Sequence, residues 1–318
     1  MSFFLAAAML AATAAGPAES FVEAPGPNGP LKGTMLAPAA APVGTPVVLI
    51  IPGSGPTDRD GNNPMGIKAS TYKLLAEGLA ERGVASVRID KRGMFASAAA
   101  IPDPNKVTIP DYVADVRSWT AAIRARTGAR CVWLLGHSEG GLVALAAARG
   151  PDVCGLILVS AAGRPIGTLI REQLRANPAN APLLDQAMAA IDSLEAGRRV
   201  DSNAIHPALA GMFAPQIQDF LISLFSHDPA RLIADYWKPV LIVQGGRDIQ
   251  VTEADARRLA EANKRVKLVL VPDVNHVLKT VASADRGANI ATYADPALPL
   301  APGIVEPIAD FIGLPPGG

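Results

Sequence analysis

Ser138 stands between glycines in LLGHSEGG, residues 134–141, at the end of an apolar run. Gly136-His137-Ser138-Glu139-Gly140 fits G-x-S-x-G, the pattern of a serine carried on a sharp strand-to-helix turn. CVWLLGH (131–137) reads as the strand before it and EGGLVALAAARG (139–150) as the helix after it. Such a turn lifts the hydroxyl clear of a sheet and sets it at a helix N-terminus, where free N–H groups and the helix dipole favour developing negative charge. The chemistry this suits is acyl transfer. A plain serine N-cap is the competing reading.

A serine hydroxyl is a weak nucleophile and needs a base, with an acid to orient that base. The chain has four histidines. His137 lies within the turn and is expected to point into the fold, while His206 and His227 fall in a helical stretch without strands. His276, in VPDVNHVLK just past the last apolar run, is the expected base. For the acid, Asp248 closes the run PVLIVQGGRD, with Asp273 and Asp235 as competitors. Ser138, Asp248 and His276 follow the order Ser…Asp…His, and each ends or follows a strand, where functional groups of α/β sheets gather. The oxyanion of an acyl transfer needs two backbone donors. Glu139 N–H supplies one, and the loop GSGPTDRDGN (53–62) supplies the other from Ser54, with Gly55 as the alternative. Asp58, Arg59 and Asp60 in that loop read as salt-bridged, or else as a contact to substrate; Arg88 and Asp90 read as ion-pair partners.

The surrounding elements must hold these groups. FVEAPGPNGPLKGTMLAP (21–38) reads as an antiparallel hairpin. VVLIIPG (47–53), VASVRID (84–90), CVWLLGH (131–137), CGLILVSA (154–161), PVLIVQGGRD (239–248) and VKLVLVP (266–272) read as buried strands. Helical spacing marks 70–83, with Ser70 as N-cap and Gly83 as stop, and 111–127, with Tyr112, Val116, Trp119 and Ile123 on one face. Helices are also expected at 252–263 and 303–313. Strands apolar on both faces, alternating with amphipathic helices, predict an α/β fold with a parallel sheet covered on both sides. From 164 to 236 the alternation stops in favour of helices, so this stretch is expected to be a cap inserted into a core of 21–163 and 237–318. Apolar cap residues, among them Met212, Phe213, Phe220, Leu224 and Phe225, line an acyl pocket or else pack the cap itself.

With 318 residues, 49% of them hydrophobic and 18% charged, the chain can bury a large core. A formal net charge of zero without a basic block argues against nucleic acid as a partner. No zinc-ligand spacing, phosphate-loop motif or dinucleotide fingerprint occurs, so no cofactor or metal is implied. The apolar start MSFFLAAAMLAATAAGPAES suits a secretory leader over 1–20, although no Lys or Arg precedes it. That points to a periplasmic or secreted protein, with the cytoplasm as the alternative, and no stable membrane insertion is expected. Cys131 and Cys154 begin two runs expected to be neighbouring strands, which permits a disulfide; two small buried hydrophobes is the other reading.

PGSGPTDRDGN (52–62), GHSEGG (136–141), QGGRDIQV (244–251) and NHVLK (275–279) together resemble the α/β-hydrolase superfamily, and within it bacterial serine esterases that carry these four motifs in this order. The resemblance covers nearly all of the chain after the leader. It implies an eight-stranded, mostly parallel sheet with a helical cap after strand six, Ser138, Asp248 and His276 as the triad, and carboxylester hydrolysis through an acyl-enzyme on small-molecule esters. One departure is RIDKRGMFAS (88–97), with Phe95 where such proteins commonly have glycine, and Phe95 is a second candidate for the acyl pocket. The same triad serves amide, lactone and thioester hydrolysis, and a non-catalytic binding protein on this scaffold is the rival of another class.

Overall fold

The computed structural model describes residues 16–313. Eight strands run β1 Ala18–Ala24, β2 Leu31–Ala37, β3 Val47–Ile51, β4 Ala85–Ile89, β5 Val132–His137, β6 Val153–Val159, β7 Val240–Gly245 and β8 Val266–Val271. They form one sheet in the order β1-β2-β4-β3-β5-β6-β7-β8. β1 and β2 pair antiparallel, as does β2 with β4, and every pairing beyond β4 is parallel. The parallel strands therefore all end on one rim, and the loops that leave them meet there.

Helices α1 Thr71–Glu81, α2 Ile109–Thr127 and α3 Glu139–Ala147 connect the early strands. α4 Ile166–Ala176, α5 Leu184–Glu195, α6 Pro207–Ala210, α7 Gln218–Phe225 and α8 Pro229–Ala234 all fall between β6 and β7. α9 Glu253–Ala262, α10 Arg286–Ala291 and α11 Val305–Gly313 complete the chain. An 18-residue window within Pro207–Ala234 reaches a mean hydropathy of 1.3. That stretch is broken into α6, a 3₁₀ turn, α7 and α8, each far short of the ~20 residues a bilayer-spanning helix needs.

Two apolar clusters cover the two faces of the sheet. Val48, Ile50, Leu135 and Val243 meet Leu75 and Leu79 of α1 and Ile308 and Ile312 of α11. Leu49, Ile51 and Leu134, one residue out of phase, join α2, α3 and α9 on the other face. This is the period of two that a strand imposes on its side chains. α2 buries Tyr112, Val116, Trp119 and Ile123, the face expected from their spacing, and Thr108 with Asp111 forms a capping box at its start.

Two local expectations about side-chain partners need revision. Ser70 is not a side-chain N-cap: its backbone is left-handed, at φ 49°, and its N–H is held by Asn62 Oδ1 at 3.0 Å. Arg88 and Asp90 do not pair with each other. Arg88 binds Asp60 and Glu19, and Asp90 binds Arg59, so the charged loop after β3 is locked to the end of β4. Residues 1–15 of the expected leader lie outside the described residues; Ala18–Ser20 belong to β1 and pair with Met35–Ala37 of β2, so that end of the leader reading is structured sheet. Cys131 and Cys154 are joined in a disulfide with Cα atoms 5.1 Å apart, tying the starts of β5 and β6.

Candidate active site

Ser138 follows β5 directly and adopts φ 54°, ψ −122°, a backbone conformation that is sparsely populated for a residue with a side chain. Its N–H donates to the carbonyl of Val159 at 3.0 Å, and its own carbonyl accepts from Gly141 N–H at 2.9 Å, so both sides of the turn are anchored. The flanking glycines are required by close approach. A Cβ on Gly136 would run into the carbonyl of Gly140, and one on Gly140 into the carbonyls of Ile51 and Pro52. The Ser138 side chain makes no capping bond to α3, and among the described residues its hydroxyl has no hydrogen-bond partner. That leaves the ordinary N-cap reading without support.

His276 Nδ1 lies 2.8 Å from Asp248 Oδ2. Against an ionised carboxylate Nδ1 must carry the hydrogen, which leaves Nε2 as a free base. Asp248 Oδ1 accepts the N–H groups of Gln250 at 2.8 Å and Val251 at 2.9 Å. Burial alone would raise the Asp248 carboxyl, but the adjacent His276 imidazole and those two N–H groups outweigh it and hold the group below the usual carboxylate range. The competitors stand elsewhere: Asp273 faces Arg247, and Asp235 closes α8. The loop carrying His276 is pinned by Asn275, whose Oδ1 accepts Lys279 N–H at 3.0 Å and whose carbonyl accepts Leu278 N–H at 3.0 Å.

Serine and histidine segments are joined through His137. Its Nε2 lies 2.8 Å from the carbonyl oxygen of His276, and the two rings are 4.8 Å apart. A carbonyl only accepts, so Nε2 carries the hydrogen and Nδ1 accepts from the Tyr72 hydroxyl at 2.9 Å. The Tyr72 oxygen in turn accepts Gly53 N–H at 2.9 Å. Burial, and then the neighbouring His276, pull His137 down to about 3, so it stays neutral. This relay ties the loop after β3, the serine turn and the histidine loop together. Sequence alone placed His137 inside the fold without a task and assigned none to Tyr72 of α1.

A cavity of about 430 Å³ opens beside Ser138. Ser54, Gly55, Ser138, Glu139 and Lys91 line its polar end, while Tyr112, Ile166, Leu169, Phe220 and Leu224 are among its apolar walls. The N–H groups of Ser54 and Glu139 make no hydrogen bonds to other described residues. Four expected lining residues are absent from the wall, and one of them, Met212, is an exposed side chain. Phe213 is fully buried in the core. Phe225 is five positions beyond Phe220 on α7 and therefore on another face of the helix, whereas Leu224, four beyond, shares the Phe220 face. Phe95 sits at φ 46° and is 42% exposed, and Met94 takes the place on the wall.

A family model described as serine aminopeptidase S33, Hydrolase_4, matches residues 65–280, more than half of the chain. The chain belongs to this family. Among curated proteins it is similar to Esterase EstD of Thermotoga maritima, at 26% identity over 240 residues, covering 73% of this chain and 54% of that one. The chain thus spans about half the length of that relative. Among solved structures it resembles Est1E from Butyrivibrio proteoclasticus, with TM-score 0.56 and 17% identity over 94% of this chain and all of that one. The Pyrococcus furiosus esterase Pf2001 is also similar, with TM-score 0.55 and 14% identity over 82% and 83% of the two chains. At these identities the structural likenesses establish the α/β-hydrolase fold.

Proposed function

We propose that this family member is a serine carboxylesterase in which Ser138 Oγ attacks the ester carbonyl and His276 Nε2 accepts the hydroxyl proton. Asp248 holds the imidazole in the useful tautomer and stabilises the imidazolium. The N–H groups of Ser54 and Glu139 receive the oxyanion, the alcohol leaves with the proton from His276, and a water activated by the same imidazole releases the acid from the acyl-enzyme. The observation that carries this reading is the His276–Asp248 contact, 2.8 Å, in a loop joined through His137 to the turn of a strained serine that lines an apolar cavity.

The helices of 164–236 act as the cap in this reading, because α4 and α7 supply the apolar wall. A cavity of about 430 Å³ suits short to medium acyl groups. Est1E has also been solved with ferulic acid bound, so aryl-acyl esters belong in the substrate panel. The family description favours a second reading, an aminopeptidase. Such an enzyme must hold a substrate ammonium with a carboxylate, and Glu139, the acidic residue of the wall, is already paired with Lys91 at 3.6 Å. The ester reading is therefore preferred.

A panel of p-nitrophenyl esters set against aminoacyl anilides tests it, together with a fluorophosphonate probe. Ester turnover, probe attachment at Ser138 and loss of both in Ser138→Ala are expected. Anilide turnover exceeding ester turnover would replace the proposal with the peptidase reading. The disulfide suits the oxidising compartment expected of an exported protein, and cell fractionation with alkylation of the intact chain checks that placement.

A further inference from the structure

Lys91 has no part in the mechanism above, yet it is buried beside it. It follows β4, which pairs with β3, so its side chain reaches the loop leaving β3. Its Nζ lies 2.7 Å from the carbonyl oxygen of Gly53, 3.6 Å from Glu139 Oε1 and 5.6 Å from the centre of the Tyr112 ring. Taking an ammonium out of water costs several kcal/mol unless partners compensate. Burial does lower its pKa, with Glu139 acting in the opposite direction.

The acceptor is what gives the lysine a task. Gly53 C=O and Ser54 N–H are the two ends of one planar peptide group, so anchoring the oxygen sets the direction of the N–H. The preceding peptide is held as well, through Gly53 N–H to the Tyr72 hydroxyl. The counter-charge comes from Glu139, whose backbone N–H is the other proposed oxyanion donor. Lys91 therefore bridges the Gly53–Ser54 peptide, through its oxygen, and the side chain of Glu139, the two places that supply the proposed oxyanion donors. Gly53 O and Glu139 lie on two sides of the ammonium and the Tyr112 ring on a third.

We propose that Lys91 is a positioning residue for the oxyanion hole, clamping the Gly53–Ser54 peptide so that Ser54 N–H points at the developing oxyanion. A cationic donor on the carbonyl also polarises the peptide and strengthens its N–H as a donor. The inference rests on the assignment of Ser54 and Glu139 as oxyanion donors under the proposed function.

The test compares an ester with its thionoester, in which sulfur replaces the carbonyl oxygen and gains little from an oxyanion hole. In Lys91→Met, kcat for the ester is expected to fall about 30- to 300-fold, near the loss seen on removing one such donor, with KM little changed. Thionoester turnover should fall less than about 3-fold, so the ester/thionoester ratio collapses. The ratio is taken within one preparation, and a misfolded fraction divides out. Equal losses on both substrates would mean a structural brace, and no loss on either would mean no role; each overturns the proposal. Should Lys91→Met fail to fold, Glu139→Gln keeps the backbone donor while removing the counter-charge. A ratio lowered several-fold is then expected, and an unchanged ratio overturns the proposal. Ser138→Ala is measured alongside. Ester turnover that survives in it would remove the serine reading, and the Lys91 proposal with it, a failure distinct from an unchanged ratio in an enzyme that still depends on Ser138.

Discussion

His137 is held neutral because burial and the adjacent His276 disfavour its charged form, and its pKa of about 3 lies well below the ordinary 6.5. Below pH 6.5 the unfolded chain binds a proton that the folded chain refuses, so the stability present above that pH declines as pH falls toward 3. The slope from this one group is at most about 1.4 kcal/mol per pH unit. Asp248, also depressed in the fold, adds its loss only below about pH 4, while Asp60 and Asp115, raised by burial, act in the opposite sense above it, so the histidine is read from the difference between wild type and a His137 variant. Urea midpoints followed from pH 7 to 4 should show the decline in the wild type and a flatter profile in His137→Gln. Phe95 gives an opposite kind of forecast. Its left-handed backbone is costly for a residue with a Cβ, and its side chain is 42% exposed, so little packing is at stake. Phe95→Gly should raise stability by about 0.5–1 kcal/mol, after allowing for the extra freedom glycine gains in the unfolded chain, and thermal melting reads this.

The serine turn works because β5 and α3 meet with almost no room between them. A methyl group on Gly140 would collide with the carbonyls of Ile51 and Pro52, the residues that lead into the loop proposed to hold the oxyanion. Gly140→Ala should therefore displace turn and loop together. A misplacement of about 1 Å costs on the order of 100-fold in rate, and kcat measured on the soluble fraction checks this. At the other end of the same strand, the Cys131–Cys154 bridge closes a separation of 23 residues. Replacing both cysteines with alanine should cost about 3 kcal/mol of stability while leaving kcat near wild type, because the bridge lies at the strand starts and the chemistry at the strand ends. Chemical denaturation and an ester assay on the same sample separate the two effects.

The cavity is shared between two bodies of sequence far apart in the chain: loops from the strand ends give the polar end, and α4 and α7 give the apolar wall. Acyl selection should therefore follow substitutions in 164–236 that leave the triad untouched. Phe220→Trp reduces the space and should shift the preferred p-nitrophenyl ester toward acetate, with kcat on acetate retained. A chain-length profile of kcat/KM measures the shift, and Phe213→Trp, in the packed core, should cost stability instead of changing the profile.

The proposed set Ser138, Asp248 and His276 was picked out in the sequence because each stands at the end of an apolar run or just past one, and parallel strands deliver such ends to one rim. The alternation of strands and helices likewise determined the fold class, and the alternating four- and three-residue spacing on α2 determined its buried face. Three-dimensional packing alone decided the rest. Whether Phe213, Phe225 or Leu224 faces a cavity depends on how the helices between β6 and β7 settle on the sheet, and an apolar residue looks the same in sequence whether it packs a core or lines a pocket. Arg88 and Asp90 chose partners across loops, Cys131 and Cys154 met because β5 and β6 are neighbours, and Lys91 met Gly53 because β4 lies beside β3. Local pattern specifies elements through nearest-neighbour backbone chemistry. Pairings between charges, cysteines and carbonyls distant in the chain exist only once the strands have taken their order.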